Sequence, residues 1–241
     1  MERGLRAAPD SPSAGRHAAG SLIPQRAGLW QDIPGSGHVR GYPVNEWDKR
    51  YDCEDYVYGV EPNDFLRAHL KEIPKGEVLC LADGEGRNSV FLAEQGYQPT
   101  AVDYSAVALD KARRLAATRG VEIETIRADL ADFELGRDAW TGIVSIFCHV
   151  PESIRQRVYR QVPEALVPGG VFLLEAYTPE QLAYGTGGPP TAELLADLDS
   201  LLQPLEGLDI VLARTLEREV IEGQLHTGLA HVAQIIARRP H

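Results

Sequence analysis

The stretch Val78-Leu79-Cys80-Leu81-Ala82-Asp83-Gly84-Glu85-Gly86-Arg87-Asn88 constrains this chain more than any other. A short apolar run ends in Asp-Gly-Glu-Gly, and Ser89, Val90, Phe91, Leu92 and Ala93 then continue in a helical pattern. That order predicts a buried strand, a tight glycine turn and a helix start, the opening unit of an open α/β sheet. Gly84 lets the backbone turn sharply, and Gly86 is expected to let a ligand approach the main chain closely.

The rest of the chain extends this unit. Residues 98–102 read as a second strand closing on Asp103. Ser105 is placed to cap a helix with Ala108, Ala112 and Leu115 on one face, ended by Gly120. In residues 121–125, Val121, Ile123 and Thr125 alternate with Glu122 and Glu124, which predicts a half-exposed third strand near a sheet edge. Residues 142–147 form a continuous β-rich run, hence a buried central strand. Residues 152–167 are helical in pattern, with Pro163 placed to break or kink them. Pro168-Gly169-Gly170 turns into a buried strand over 171–177, and a helix is expected over 192–202. Two long β-like runs, 208–221 and 224–237, are joined at Glu222-Gly223 as an antiparallel hairpin. The pattern predicts an α/β fold: a doubly wound, mostly parallel, seven-stranded Rossmann-like sheet with a C-terminal antiparallel hairpin.

Residues 1–40 are rich in Pro, Gly, Ala and Ser, with Arg3, Arg6, Arg16, Arg26 and Arg40 against Glu2, Asp10 and Asp32. No apolar signal region follows the early arginines, and a flexible N-terminal tail is expected here. Residues 41–75 are expected to form a helical lid segment, with Trp47 and Tyr51 packing at i, i+4 and a short helix opening at Pro62-Asn63-Asp64. The ligand-binding domain then occupies residues 76–241. A net charge of -11 argues against a nucleic-acid backbone as partner, and no apolar run approaches the ~20 residues that span a membrane. Cys53, Cys80 and Cys148 are far apart and form no CxxC pair. No metal site or disulfide framework is therefore expected, and a cytoplasmic location is.

A dinucleotide fingerprint needs G-x-G-x-x-G, but Ser89 stands in the third glycine position. Asp83 and Glu85 make the loop acidic, whereas pyrophosphate at a helix N-terminus wants no added negative charge. S-adenosylmethionine carries a sulfonium and an ammonium and no phosphate, so the charge pattern favours it over NAD. Asp103 is placed to accept ribose hydroxyls under either reading. Asp129, after the third strand, is placed to accept from an adenine amino group or to cap a turn.

From about Trp47 to Pro240 the chain resembles class I S-adenosylmethionine-dependent methyltransferases, in particular the small bacterial branch similar to tellurite-resistance and thiopurine-type enzymes. The stretches that carry the resemblance are Trp47-Asp48-Lys49-Arg50-Tyr51, Tyr58-Gly59-Val60-Glu61-Pro62-Asn63, Gly84-Glu85-Gly86-Arg87-Asn88 and Ala101-Val102-Asp103. Ala128-Asp129-Leu130, Phe147-Cys148-His149-Val150-Pro151, Pro168-Gly169-Gly170 and Glu175-Ala176-Tyr177-Thr178-Pro179 follow in the family's order. The resemblance implies that Ala82, Gly84 and Gly86 line the methionine end of the cofactor. It places Asp103 on ribose, Asp129 and Leu130 on adenine, and Phe147 and Cys148 beside the sulfonium; Asn88 and Tyr104 complete the expected cofactor set. The chain departs from the family where Cys80 replaces the usual strand acid and Ala82 the usual first glycine. Asp83 is expected to supply the missing charge to the ammonium.

Methyl transfer from a sulfonium is an in-line displacement in which positioning alone can contribute roughly 7–11 kcal/mol. A soft anion such as a thiolate needs no dedicated base, whereas a hydroxyl or amine does. His149 and Tyr51 are the candidate catalytic residues. His226 ranks below them, being at the wrong end of its strand if the hairpin tip points away from the pocket. Cys148 is expected to be a buried thiol lining the cofactor pocket. Tyr51, Tyr58, Tyr177 and Tyr184 are candidates to wall an acceptor site, with one or two of them touching substrate. The expected activity is methylation of a small molecule, such as a thiol or chalcogen oxyanion, by a monomer or homodimer without nucleic-acid or membrane partners. The alternatives are a non-catalytic S-adenosylmethionine-binding protein, which the changes at Cys80 and Ala82 would suit, and an NAD-dependent oxidoreductase.

Overall fold

The computed structural model describes Met1, residues 46–223 and residues 226–241. Apart from Met1, the expected N-terminal tail lies outside the described residues. Helices α1 (Glu46–Tyr51) and α2 (Asp64–His69) precede β1 (Glu77–Leu81), α3 (Arg87–Glu94), β2 (Gln98–Asp103), α4 (Ala106–Arg119), β3 (Glu124–Arg127) and β4 (Trp140–Ile146). Then come α5 (Glu152–Tyr159), α6 (Val162–Ala165), β5 (Leu166–Tyr177), α7 (Leu198–Leu202), β6 (Asp209–Glu222) and β7 (His226–Arg238). The seven strands form one sheet in the order β3-β2-β1-β4-β5-β7-β6. The first five are parallel, β7 runs antiparallel to β5, and β6 antiparallel to β7.

Burial explains why the central strands form where they do. Val78, Leu79, Cys80 and Leu81 of β1 are closed off on both faces, as are Val171, Phe172, Leu173 and Leu174 of β5. Local chemistry sets the helix ends. The Asn63 side chain accepts from the Leu66 N–H to cap α2, and Ser105 Oγ accepts from Ala108 N at 3.1 Å to cap α4. Gly120 ends α4 in the left-handed conformation.

Four elements differ from the sequence expectation, β5 among them, since it starts at Leu166, ahead of the expected turn at 168–170. The third strand starts at Glu124 rather than 121, because Val121 N donates to Ala116 O and closes the end of α4. The helix expected over 192–202 is a 3-10 turn at Ala192–Leu194 followed by α7. Ala196 N is drawn instead to Tyr177 O, and Asp197 accepts from Ser200 N to start a new helix. The pattern over 152–167 divides into α5 and α6, with Pro163 in the first turn of α6, where its missing N–H does no harm. Among the described residues, no helix is long and apolar enough to cross a membrane.

The terminal hairpin shapes the carboxyl edge of the sheet. Tyr177, the last residue of β5, pairs with Val232, so the start of β7 and the end of β6 run on past the carboxyl edge of the parallel strands. The tip lies at that edge, so the condition that would have put His226 at the wrong end of its strand is not met. Gly223 sits at φ +71°, and a Cβ there would fall 2.4 Å from Val57 O, so only glycine allows the tip to meet the segment after α1.

Candidate active site

Two strand ends turn sharply at the carboxyl edge. Ala82, after β1, sits at φ +48°, and Phe147, after β4, at φ +50°. An L-residue pays roughly 1–2 kcal/mol in this conformation, and such strain collects where a structure must aim its backbone. Asp83 N donates to Val102 O at 3.1 Å, and Phe147 N to Glu175 O at 2.8 Å, so both turns are held by neighbouring strands. Ala82 thus keeps the turn although it stands where the resemblance leads one to expect glycine.

Between these turns lies a cavity. Ala82, Asp83, Gly84, Asn88, Asp103, Tyr104, Asp129, Leu130 and Phe147 line it, as do the candidate catalytic residues Tyr51 and His149. Gly86 and Cys148 do not. A Cβ on Gly86 would lie 2.6 Å from that of Ala112, so close packing of α3 on α4 requires glycine here. Cys148 is buried, and burial, with Asp103 nearby, pushes its thiol up to about 12. Cys80 belongs to the apolar core, where burial and then Asp83 raise its thiol well above the ordinary range.

The carboxylates define the electrostatics. Asp103 Oδ2 accepts from Gly84 N at 2.9 Å and Oδ1 from Ser105 N at 2.8 Å. Asp83 accepts from Ser89 Oγ. Burial, and after it a neighbouring acid, raises both carboxyls to about 6, against the hydrogen bonds that lower them; the acid is Asp103 for Asp83 and Asp48 for Asp103. Asp129 adds a third acid and also caps its own turn, Oδ1 accepting from Ala131 N at 2.8 Å. Glu85 departs from its expected role. It lines the cavity, but Lys111 Nζ lies 2.5 Å from its carboxylate, with both side chains buried, so the negative charge not neutralised by a partner lysine comes from the three aspartates.

Aromatic residues cover the turn. Trp47 and Tyr51 stack at 6.0 Å, and Tyr51 meets Tyr58 edge-on at 6.1 Å; all three line the cavity. The Tyr51 hydroxyl lies 3.0 Å from where a Cβ on Gly84 would stand. Burial and Asp103 hold its phenol well above the ordinary range, so at neutral pH it donates and is not a base. His149 lies parallel to Tyr177 at 5.8 Å, and Tyr177 to Phe147 at 4.4 Å, forming a three-ring stack at the ends of β4 and β5. Tyr177 and Tyr184 do not line the cavity; the Tyr184 hydroxyl donates to Glu217. The His226 side chain lies outside the described residues.

Sequence reading missed two buried polar clusters. In the first, Lys111 donates to the carbonyls of Tyr51, Cys53 and Asp55 at 3.3, 3.1 and 2.6 Å, tying the segment after α1 to α4. Its place at 111, between Ala108 and Ala112 on the buried face, was the available signal. In the second, Asn63 Nδ2 donates to Glu175 and Glu222 at 2.6 and 2.8 Å, Arg218 Nη2 to the same two carboxylates at 2.6 and 3.2 Å, and Arg87 Nη2 to Glu222 at 2.5 Å. Gln234 Nε2 completes the shell of Glu175 at 2.6 Å. Two arginines balance two glutamates, and α3, β5 and the hairpin tip are locked together behind the cavity. A lone Glu175 inside an apolar strand was the only sequence sign of it.

Residues 78–170 match the methyltransferase domain family. A glycine/sarcosine N-methyltransferase of Halorhodospira halochloris is 29% identical over 143 residues, covering 57% of this chain and 52% of that protein. The chain spans about half the length of the curated relatives it matches. Among solved structures, TehB from Haemophilus influenzae aligns with TM-score 0.59 at 20% identity, over 73% of this chain and 61% of that one. A protein solved in work on converting a disulfide bond into a thioacetal group during echinomycin biosynthesis aligns with TM-score 0.66 at 21% identity, over 80% and 90%. These likenesses establish a shared fold.

Proposed function

We propose that the chain is a class I S-adenosylmethionine-dependent methyltransferase, a reading supported by the match of residues 78–170 to the methyltransferase domain family, and that it methylates a small-molecule acceptor with a soft nucleophile, a thiol or a chalcogen oxyanion. The observation that supports this best is the charge of the cavity. Asp83, Asp103 and Asp129 line it, while Arg87 is engaged by Glu222. That lining suits a ligand bearing a sulfonium and an ammonium and opposes the phosphates of a dinucleotide.

When bound, S-adenosylmethionine supplies a methyl group activated by its positively charged sulfur. Asp103 would hold the ribose through the remaining lone pairs of its two oxygens, Asp129 and Leu130 the adenine, and Asp83 the ammonium. Ala82 and Gly84 would present backbone to the methionine end, and Phe147 its ring beside the sulfur. Trp47, Tyr51 and Tyr58 exclude water and limit the angles of approach, the kind of positioning that contributes roughly 7–11 kcal/mol. A soft acceptor fits the side chains present. Tyr51 keeps its proton, Cys148 is neutral and off the wall, and the His149 ring is held flat in the three-ring stack. An acceptor that is already an anion needs none of them as a base.

The experiment is turnover of the purified chain with S-adenosylmethionine and a panel of thiols, selenite, tellurite and small phenols, with S-adenosylhomocysteine quantified by mass spectrometry. Product with thiols or chalcogen oxyanions, and little with phenols, is the expected pattern. Tight cofactor binding with no product from any acceptor would instead favour a non-catalytic S-adenosylmethionine-binding protein.

A further inference from the structure

Arg50 stands at the solvent edge of the aromatic cover. It is exposed, yet it touches residues that line the cavity. The guanidinium carbon lies over the Trp47 ring, 4.7 Å from its centroid, and Nη1 donates to the Tyr58 hydroxyl at 3.0 Å. Its charge also reaches the Tyr51 phenol, which it pulls down against the larger upward push of burial and Asp103. Other basic groups around the cavity are taken. Lys49, the preceding residue, pairs with Glu46 at 2.6 Å, and Arg87 on the cavity wall pairs with Glu222 at 2.5 Å. Among the described residues, no carboxylate lies within ion-pair distance of Arg50, so its charge and the N–H donors not given to Tyr58 remain available.

That charge is held where the cavity's own lining is unfavourable to an anion. Asp83, Asp103 and Asp129 repel any negative group that approaches the reacting centre. A cation at the edge offsets this repulsion for an anionic acceptor and does nothing for a neutral one. We infer that Arg50 is a specificity-determining residue that receives the anionic group, a carboxylate or an oxyanion, of the acceptor. The inference rests on the soft-acceptor reading of the cavity and narrows it to acceptors that carry a negative charge. Stacking on Trp47 sets the plane of the guanidinium, and a planar fork grips two oxygens of one anion where an ammonium meets them as a point charge.

Steady-state kinetics on the full chain test this with S-adenosylmethionine and mercaptoacetate, 2-mercaptoethanol (a thiol of similar size ending in a neutral hydroxyl) or selenite. The wild type is expected to prefer mercaptoacetate to 2-mercaptoethanol in kcat/KM, and to lose part of that preference as salt is raised. In Arg50→Gln the preference is expected to fall at least about fivefold, mainly through KM, and KM for selenite to rise by a similar factor. Arg50→Lys, which keeps the charge without the fork, is expected to fall between the two. Equal losses for both thiols, with weaker S-adenosylhomocysteine binding, mark Arg50 as a strut of the aromatic cover and overturn the inference. An unchanged preference in Arg50→Gln overturns it as well. A wild type that favours 2-mercaptoethanol over both anions overturns the inference and leaves the soft-acceptor reading standing; one that methylates none of the three overturns both.

Discussion

Replacing Lys111 by Met is expected to destabilise the protein by about 3–5 kcal/mol, the range for breaking a buried ion pair from one side. Lys111 and Glu85 have side chains 4% and 3% exposed, with 2.5 Å between Nζ and Oε1. Without the ammonium, the Glu85 carboxylate stays buried, with Tyr58 N at 3.4 Å as a weak remaining donor, and the carbonyls of Tyr51, Cys53 and Asp55 lose their shared partner. The loss is a large part of the ~5–15 kcal/mol that a typical domain possesses. Urea denaturation monitored by tryptophan fluorescence measures it. Adding Glu85→Gln removes the stranded charge, so the double variant is expected to recover about 2 kcal/mol, a coupling visible in a double-mutant cycle. Hydrogen exchange in the segment after α1 is expected to accelerate in the single variant, because Lys111 is what holds that segment to α4. A loss below about 1 kcal/mol, the size typical of an exposed pair, or strictly additive single effects, would refute the reasoning.

Ala82→Gly relieves a left-handed L-residue at a small entropic cost in the unfolded chain, so a gain of about 0.5–1 kcal/mol is expected in the same denaturation assay; a clear loss would contradict the strain assigned to that turn. Gly86→Ala places a methyl 2.6 Å from the Ala112 Cβ at φ +88°, so it is expected to lower the melting temperature measurably. Asp103 has a folded carboxyl at about 6 against an ordinary 3.8, so its ionisation opposes folding. The ligand-free wild type should therefore lose stability relative to Asp103→Asn as pH rises from about 4 to 6, by something on the order of 3 kcal/mol, and hold level above that. Melting curves across this range check the sign, and a relative gain with rising pH would reverse the assignment. Asp103→Ala is expected to weaken S-adenosylhomocysteine binding more than about tenfold, and unchanged affinity would remove Asp103 from the site.

Much of this architecture was legible in the sequence wherever a local rule and the tertiary environment agreed. The strand-turn-helix unit at 78–94, the strand ending at Asp103, the capped helix after Ser105 and the terminal hairpin each carry their own signal in apolar runs, caps and turn residues. The expectations failed where distant partners decided the outcome. Ala196 bonds to the end of β5, which splits a segment whose pattern was helical. Glu85 looked like a free charge for the ligand because its partner Lys111 lies on another helix, and the close approach of Gly86 to Ala112 on that helix was equally invisible. Arg218 carries no sequence sign of burial and Glu222 reads as a turn residue, yet both turn inward because the hairpin overruns the sheet edge and meets Asn63 and Arg87 there. Pairing across more than a hundred residues leaves no periodic trace in a single sequence.

The most direct measurement is a calorimetric comparison of S-adenosylmethionine, S-adenosylhomocysteine and NADH on the unmodified chain. If three aspartates around a strained turn create a site for S-adenosylmethionine, it binds with one-to-one stoichiometry, S-adenosylhomocysteine does so through the ammonium and nucleoside that it shares, and NADH gives no heat. Saturable NADH binding with silence from the sulfur ligands would contradict the account at its base.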